Sequence, residues 1–197
     1  MGRRIFIKRR IVDKLIIIGG SAGSFRIVRD ILVSLPASYR VPLILCLHRL
    51  RDARKGFLEA LELKTEFPLR EPRDKERIRP GNAYLAPANY HLQIEYGYYF
   101  SLSVDEPVNH SRPSIDIVMD TAAEVFKNKA QGVLLSGANM DGSAGMKKIH
   151  DMGGYTVVQD PETAEIPTMP ESALKLFIPD LLTHPAGIVS FIKTLKA

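Results

Sequence analysis

Three side chains of types that together can relay a proton each stand just after a short apolar run. Ser21 lies in Gly19-Gly20-Ser21-Ala22-Gly23, which follows Leu15-Ile16-Ile17-Ile18. His48 follows Leu43-Ile44-Leu45-Cys46-Leu47, and Asp141 ends Ser136-Gly137-Ala138-Asn139-Met140-Asp141, which follows Val133-Leu134-Leu135. The first segment satisfies G-x-S-x-G between an expected strand and an expected helix. Small neighbours there let the chain turn sharply, so the hydroxyl projects and free helix N–H groups aim at a developing oxyanion. An imidazole can take that hydroxyl's proton at neutral pH and return it to a leaving group. A carboxylate on the other ring nitrogen fixes the tautomer and stabilises the imidazolium. The chemistry this set supports is acyl transfer through a serine nucleophile. Each residue also has a plainer reading: a helix-capping serine, a packed or solvated histidine, a helix-capping aspartate. Their common placement after strands favours the triad, which is defined by geometry rather than by chain order.

These residues require a particular scaffold. Aliphatic runs alternating with helix-period segments predict an α/β fold: a doubly wound, mostly parallel sheet with helices on both faces. In such sheets, loops leaving the carboxyl ends of strands meet in a ligand-binding crevice. Strands are expected at Leu15 to Ile18, Leu43 to Leu47, Asn82 to Leu85, Val133 to Leu135 and Tyr155 to Val158. Helices are expected at Ser24 to Leu35, Gly56 to Leu63, Ile115 to Lys127 behind an Ser114 cap, from Gly142 or Ser143 to Gly153, and at Pro170 to Leu176 and Ala186 to Leu195. His91 to Glu95 and Tyr98 to Val104 alternate around Gly97 like a β-hairpin, which is placed at a sheet edge. Arg70 to Pro80 reads as a charged connector.

A chain of 197 residues, 45% hydrophobic and 25% charged, fits one ordinary globular domain and leaves no long disordered span. We divide it into a basic N-terminal arm, 1–14, and a domain, 15–197. The arm's apolar pieces are too short for a signal peptide, and neither export nor membrane insertion is expected. Much of the net charge of +5 sits in that arm rather than along a binding face, so nucleic acid is not expected as a partner. The single Cys46 precludes an internal disulfide, and the other histidines, His91, His110, His150 and His184, show no metal-ligand spacing, so neither metal nor cofactor is assigned. A dinucleotide loop is the main competitor for Gly19 to Gly23. Starting G-x-G-x-x-G at Gly19, however, Ser21 and Ser24 fill the later glycine positions, and His48 and Arg49 stand where a ribose-binding acid belongs.

From Leu15 to Leu195 the sequence resembles the catalytic domain of the chemotaxis protein-glutamate methylesterases, the CheB family. The resemblance rests on Ile18 to Gly23, on His48 with Gly56-Phe57, on Pro80 to Pro87, His91-Leu92, Asn109 to Asp116, Ser136 to Met146, Gly153-Gly154 and Met169 to Ala173. It implies that Ser21, His48 and Asp141 are the triad and that the reaction is hydrolysis of glutamate γ-methyl esters on the cytoplasmic helices of chemoreceptors, with methanol as product. Deamidation of receptor glutamines and a cytoplasmic location are implied as well. Family members usually carry a receiver domain before this one, and none is expected here. Ala22 stands where threonine is common and Ala138 where a methionine helps form the oxyanion region; the backbone N–H groups of Ala22 and Ala138 are the candidates for that role. Arg49 replaces a commoner apolar neighbour of the histidine and, with Arg51, Arg54 and Arg112, reads either as favouring acidic receptor surfaces or as part of a solvated loop. A receptor-binding or signalling-array module with decayed catalysis is the alternative function on the same scaffold.

Overall fold

The computed structural model describes residues 12–49 and 56–196. Strands β1 (Leu15–Gly20), β2 (Leu43–Leu47), β4 (Ala83–Leu85) and β7 (Ala130–Leu134) are buried along their whole length. That is why they read as near-continuous apolar runs, interrupted by the buried Gln131 of β7, rather than as alternating ones. With β3 (Leu69–Arg70), β8 (Tyr155–Gln159) and β9 (Leu181–Thr183) they form one parallel sheet of order β3-β4-β2-β1-β7-β8-β9. The winding reverses at the β1–β7 pair, where Ile18 sits opposite Val133 and Gly19 opposite Leu134. A crevice is expected at that point.

One face of the sheet is covered by α1 (Phe25–Ser34), α2 (Phe57–Glu62) and α6 (Pro185–Thr194), through Ile27, Val28, Ile31, Leu32, Leu61, Ile188 and Ile192. The other face is covered by α3 (Ile115–Phe126), α4 (Ser143–Asp151) and α5 (Thr168–Leu174), through Val118, Met119, Ala122, Met146, Ile149 and Ala173. The fold is therefore the expected α/β one. In α3 the apolar period and the cap agree with the reading, since Ser114 Oγ accepts from Ile117 N–H.

The hairpin β5 (His91–Glu95) and β6 (Tyr99–Ser103) is present, but it forms a separate two-stranded sheet, flanked on β6 by an Arg77–Tyr99 bridge, with no pairing to the large sheet. It does not extend the large sheet's edge. Leu92, Ile94 and Phe100 instead face the core that α3 shares, and Ile94 N–H donates to Thr121 Oγ1 on that helix. The charged connector is also more ordered than its composition suggests: Lys75 N–H donates to Phe100 O, and Phe100 N–H to Glu76 O. The basic arm, except for residues 12–14, lies outside the described residues, as do Arg51 and Arg54. Among the described residues, no helix is long and apolar enough to cross a membrane.

Candidate active site

Backbone bonds carry the sheet ladder just beyond the strands and fix the candidate residues at its rim. Leu135 N–H donates to Gly19 O at 2.9 Å, Ser21 N–H to Ser136 O at 2.9 Å, and His48 N–H to Gly20 O at 3.0 Å. The turn carrying Ser21 is tied further by Ser24 Oγ, which donates to Ser21 O at 2.6 Å, and by Ser136 Oγ, which donates to Ala22 O at 2.8 Å. Ser21, Ala22, His48, Arg49, Ser111 and Asn139 line one cleft of about 640 Å³. Gly137 shows how closely the two loops meet: a Cβ there would lie 3.0 Å from Ser21 Cβ and 2.5 Å from Met169 Cε.

Asp141 does not cap the helix that follows it. Gly142, at a φ of +94° that suits glycine, holds that position, and the Asp141 carboxylate turns back to the N-terminus of α3. Its Oδ2 accepts Ile115 N–H at 2.7 Å and lies 2.7 Å from His48 Nε2. Its Oδ1 accepts Ser114 Oγ–H at 2.8 Å and Asp116 N–H at 3.1 Å, with Asn109 Nδ2 at 3.5 Å. The side chain is fully buried. Burial alone would raise its pKa, but the bonds from His48, Ile115, Asp116 and Ser114 outweigh it and hold the carboxyl below its usual range. The positive end of α3 acts in the same direction. Asp141 is thus an ionised carboxylate pressed against His48, whose side chain is 12% exposed.

This cradle depends on groups that spacing along the chain does not reveal. His91 is fully buried and accepts Ser114 N–H on Nδ1 at 3.2 Å, so Nε2 carries the ring hydrogen and donates it to Glu106 O at 3.0 Å. The imidazole therefore positions Ser114 and, through it, Asp141. Asn139 Oδ1 accepts Asp141 N–H at 3.2 Å, while its Nδ2 donates to Asn109 O and to Ser111 Oγ, both at 3.3 Å. The motif stretches His91-Leu92, Asn109 to Asp116 and Ser136 to Met146 contain these side chains, but only their contacts give them roles.

Because Nε2 faces Asp141, Nδ1 is the ring nitrogen left to act as base. In the free protein its neighbour is Ser111 Oγ at 3.4 Å, and no hydrogen bond joins it to the Ser21 hydroxyl. Catalytic bonds are often long or absent until substrate closes the site. Of the two backbone groups proposed for the oxyanion, Ala22 lines the cleft; Ala138 does not, and Asn139 forms that part of the wall. Gly137 N–H is committed to Ile166 O at 3.1 Å.

Arg49 departs from both readings made of it. Its side chain is only 3% exposed: Nη2 bonds Glu71 Oε1 at 2.5 Å and Ala86 O at 3.0 Å, and the guanidinium lies 5.3 Å from the Phe57 ring centre. It neither offers its charge to a docking surface nor forms a solvated loop. Arg112 is tied back onto its own loop through Val104 O and Asp105 O.

A second carboxylate, Asp116, sits beside Asp141. Oδ1 accepts Gly145 N–H at 2.8 Å and Oδ2 accepts Asn109 Nδ2–H at 3.0 Å, so it joins α3, α4 and the loop before α3. Burial, opposed by the bonds from Gly145 and Gly142 and reinforced by the charge of Asp141, pushes it up to about 6. A carboxyl raised in the folded state takes up protons on folding, so it costs stability as pH rises from about 4 through about 6. Asp116→Asn is therefore expected to gain on the wild type between pH 5 and 7.5, by about 2–6 °C in Tm once partial solvent screening is allowed for. Melting curves at the two pH values check this. A constant difference between the proteins would contradict it.

With this geometry in place, comparison with known proteins is informative. The CheB methylesterase family model matches residues 16–192. A relative from Leptospira interrogans is 45% identical over 160 residues, covering 81% of this chain and 83% of that one. The protein-glutamate methylesterase/protein-glutamine glutaminase 1 of Carboxydothermus hydrogenoformans is 36% identical over 168 residues, covering 83% of this chain but only 49% of its own length. The crystal structure of the Thermotoga maritima CheB methylesterase catalytic domain matches with a TM-score of 0.88 at 28% identity, over 93% of this chain and 98% of that one. With nearly the whole described sheet inside the match, the chain belongs to the CheB methylesterase family.

Proposed function

We propose that the protein is a protein-glutamate methylesterase in which Ser21 is the nucleophile, His48 the general base and Asp141 the group that orients and stabilises the imidazolium. The observation that carries this reading is the 2.7 Å contact between His48 Nε2 and an ionised, fully buried Asp141 at the cleft that Ser21 also lines. Ser21 Oγ attacks the ester carbonyl as Nδ1 takes its proton, giving a tetrahedral oxyanion. The Ala22 N–H, on the wall of the cleft, is the group that receives that charge. Collapse expels methanol, which takes the proton back from Nδ1. Water then attacks the acyl-enzyme by the same route and leaves a glutamate carboxylate. With a glutamine side chain the leaving group is ammonia, so the same machinery deamidates. The substrates are methylated cytoplasmic helices of chemoreceptors, and the enzyme works in the cytoplasm.

The test is methanol release from a receptor cytoplasmic fragment carrying glutamate γ-methyl esters. Wild type should release methanol and take up one fluorophosphonate on Ser21, seen as an increase in mass. A protein that binds the fragment yet gives neither methanol nor adduct is a receptor-binding module, the competing reading.

A further inference from the structure

Resting on the triad reading, the geometry points to Ser111 as a positioning residue that keeps His48 Nδ1 hydrogen-bonded in both protonation states of the ring, and so steadies the imidazolium formed in each half-reaction. Ser111 Oγ lies 3.4 Å from His48 Nδ1 and 3.4 Å from Asn109 O, while Asn139 Nδ2 donates to it at 3.3 Å. A serine hydroxyl has one hydrogen and two lone pairs. Asn139 occupies one lone pair, which leaves the hydrogen a choice between two acceptors.

When the ring is neutral, Nε2–H is given to Asp141 and Nδ1 carries a lone pair, so Ser111 donates its O–H to Nδ1. When Nδ1 takes the proton from Ser21 or from the attacking water, it becomes a donor. Nδ1 has only one lone pair, so the Ser111 hydrogen swings to Asn109 O before the ring takes that proton, and the second Ser111 lone pair then accepts Nδ1–H. One rotation about the Cβ–Oγ bond makes this change without moving any heavy atom. The contacts are long in the free protein, and bonds to a charged ring are shorter and stronger.

The loop is built to hold Oγ in place. Val108 and Ser111 exchange backbone bonds at 3.2 and 2.9 Å, and Arg112 anchors the next residue through Val104 O and Asp105 O. The other titratable or charged groups around His48 are Asp141 and Asp116 at the α3 terminus, Arg49 beside it in the chain, and His110 and Arg112 on the cleft wall. None of these is altered by changing Ser111.

The experiment follows p-nitrophenyl acetate hydrolysis by the full chain from about pH 5 to 9. Ser111→Ala is expected to lower kcat about 10- to 100-fold, as loss of a bond to a charged group does, with KM within about twofold. Because the charged ring loses more than the neutral one, the acid limb of the rate profile should move to lower pH by up to about one unit. Ser111→Thr, which keeps the hydroxyl, should recover most of the rate and the wild-type limb. Unchanged kcat in Ser111→Ala, or a lower rate with the acid limb in place and no recovery in Ser111→Thr, overturns the proposal. The triad reading would still stand in that case on wild-type turnover that Ser21→Ala abolishes. Absence of Ser21-dependent turnover in the wild type would overturn both.

Discussion

Ser21→Ala is expected to lower ester hydrolysis by roughly 10⁴-fold or more while leaving the melting temperature within about 2 °C of wild type. The two halves of this prediction have separate causes. The fold at this turn is held by backbone groups and by the side chains of neighbours: Ser21 N–H on Ser136 O, Ser24 Oγ on Ser21 O, and Ser136 Oγ on Ala22 O. Alanine keeps all three. What it removes is the one hydroxyl that projects from the strand-to-helix turn into the cleft, and with it the covalent route to the acyl-enzyme. Initial rates on a methylated receptor fragment, with melting curves on the same samples, give both numbers. Turnover near the wild-type level would remove Ser21 from the chemistry and direct attention to Ser111, whose Oγ already stands 3.4 Å from the base.

Much of this arrangement can be read from the sequence because its central strands are buried on both faces. Leu15 to Ile18, Leu43 to Leu47 and Val133 to Leu135 have no polar interruption, and the residue types that do chemistry begin where each run stops. The edge strands could not be read in the same way. Leu69–Arg70 and Leu181–Thr183 are two and three residues long, too short to carry a period, and they are strands only because a neighbour pairs with them. The hairpin was visible in its alternation about Gly97, but its position was not, since what places Ile94 and Phe100 is the surface of α3. Likewise, the burial of Arg49 depends on Glu71, Ala86 and Phe57, three residues from separate segments. For the site itself, spacing singled out Ser21, His48 and Asp141 but gave no account of what holds the acid. Asp141 caps a helix that begins 26 residues earlier, at Ile115, rather than the one that begins two residues later at Ser143. No local pattern encodes that choice.

That long-range cap makes Asp141→Asn a harsher change than a simple loss of charge. Every group facing the carboxylate is a donor: Ile115 N–H and His48 Nε2 on Oδ2, Ser114 Oγ and Asp116 N–H on Oδ1. An amide must turn its NH₂ toward one of these pairs. If it turns toward Oδ2's partners it opposes Ile115 N–H and can satisfy His48 only when Nε2 is the acceptor. The ring hydrogen then moves to Nδ1, the nitrogen that has to accept the Ser21 proton, and the base is lost. If it turns the other way, Ser114 can rotate but Asp116 N–H meets a second donor, and the imidazolium still lacks its counter-charge. Either orientation predicts a loss of roughly 10⁴-fold in kcat, together with a stability cost of about 1–3 kcal/mol from an unsatisfied buried donor. The pH dependence identifies the origin of that cost. Asp141's carboxyl is held below its usual range in the folded state, so its stabilisation is complete above the unfolded value near 4 and disappears as pH falls through the lower folded value. The gap in Tm between wild type and Asp141→Asn should therefore be widest above about pH 5 and close on acidification. A gap that stays constant to pH 3 would mean that the charge in this cradle contributes nothing to folding, and that the cost of the variant comes from its mispaired donors alone.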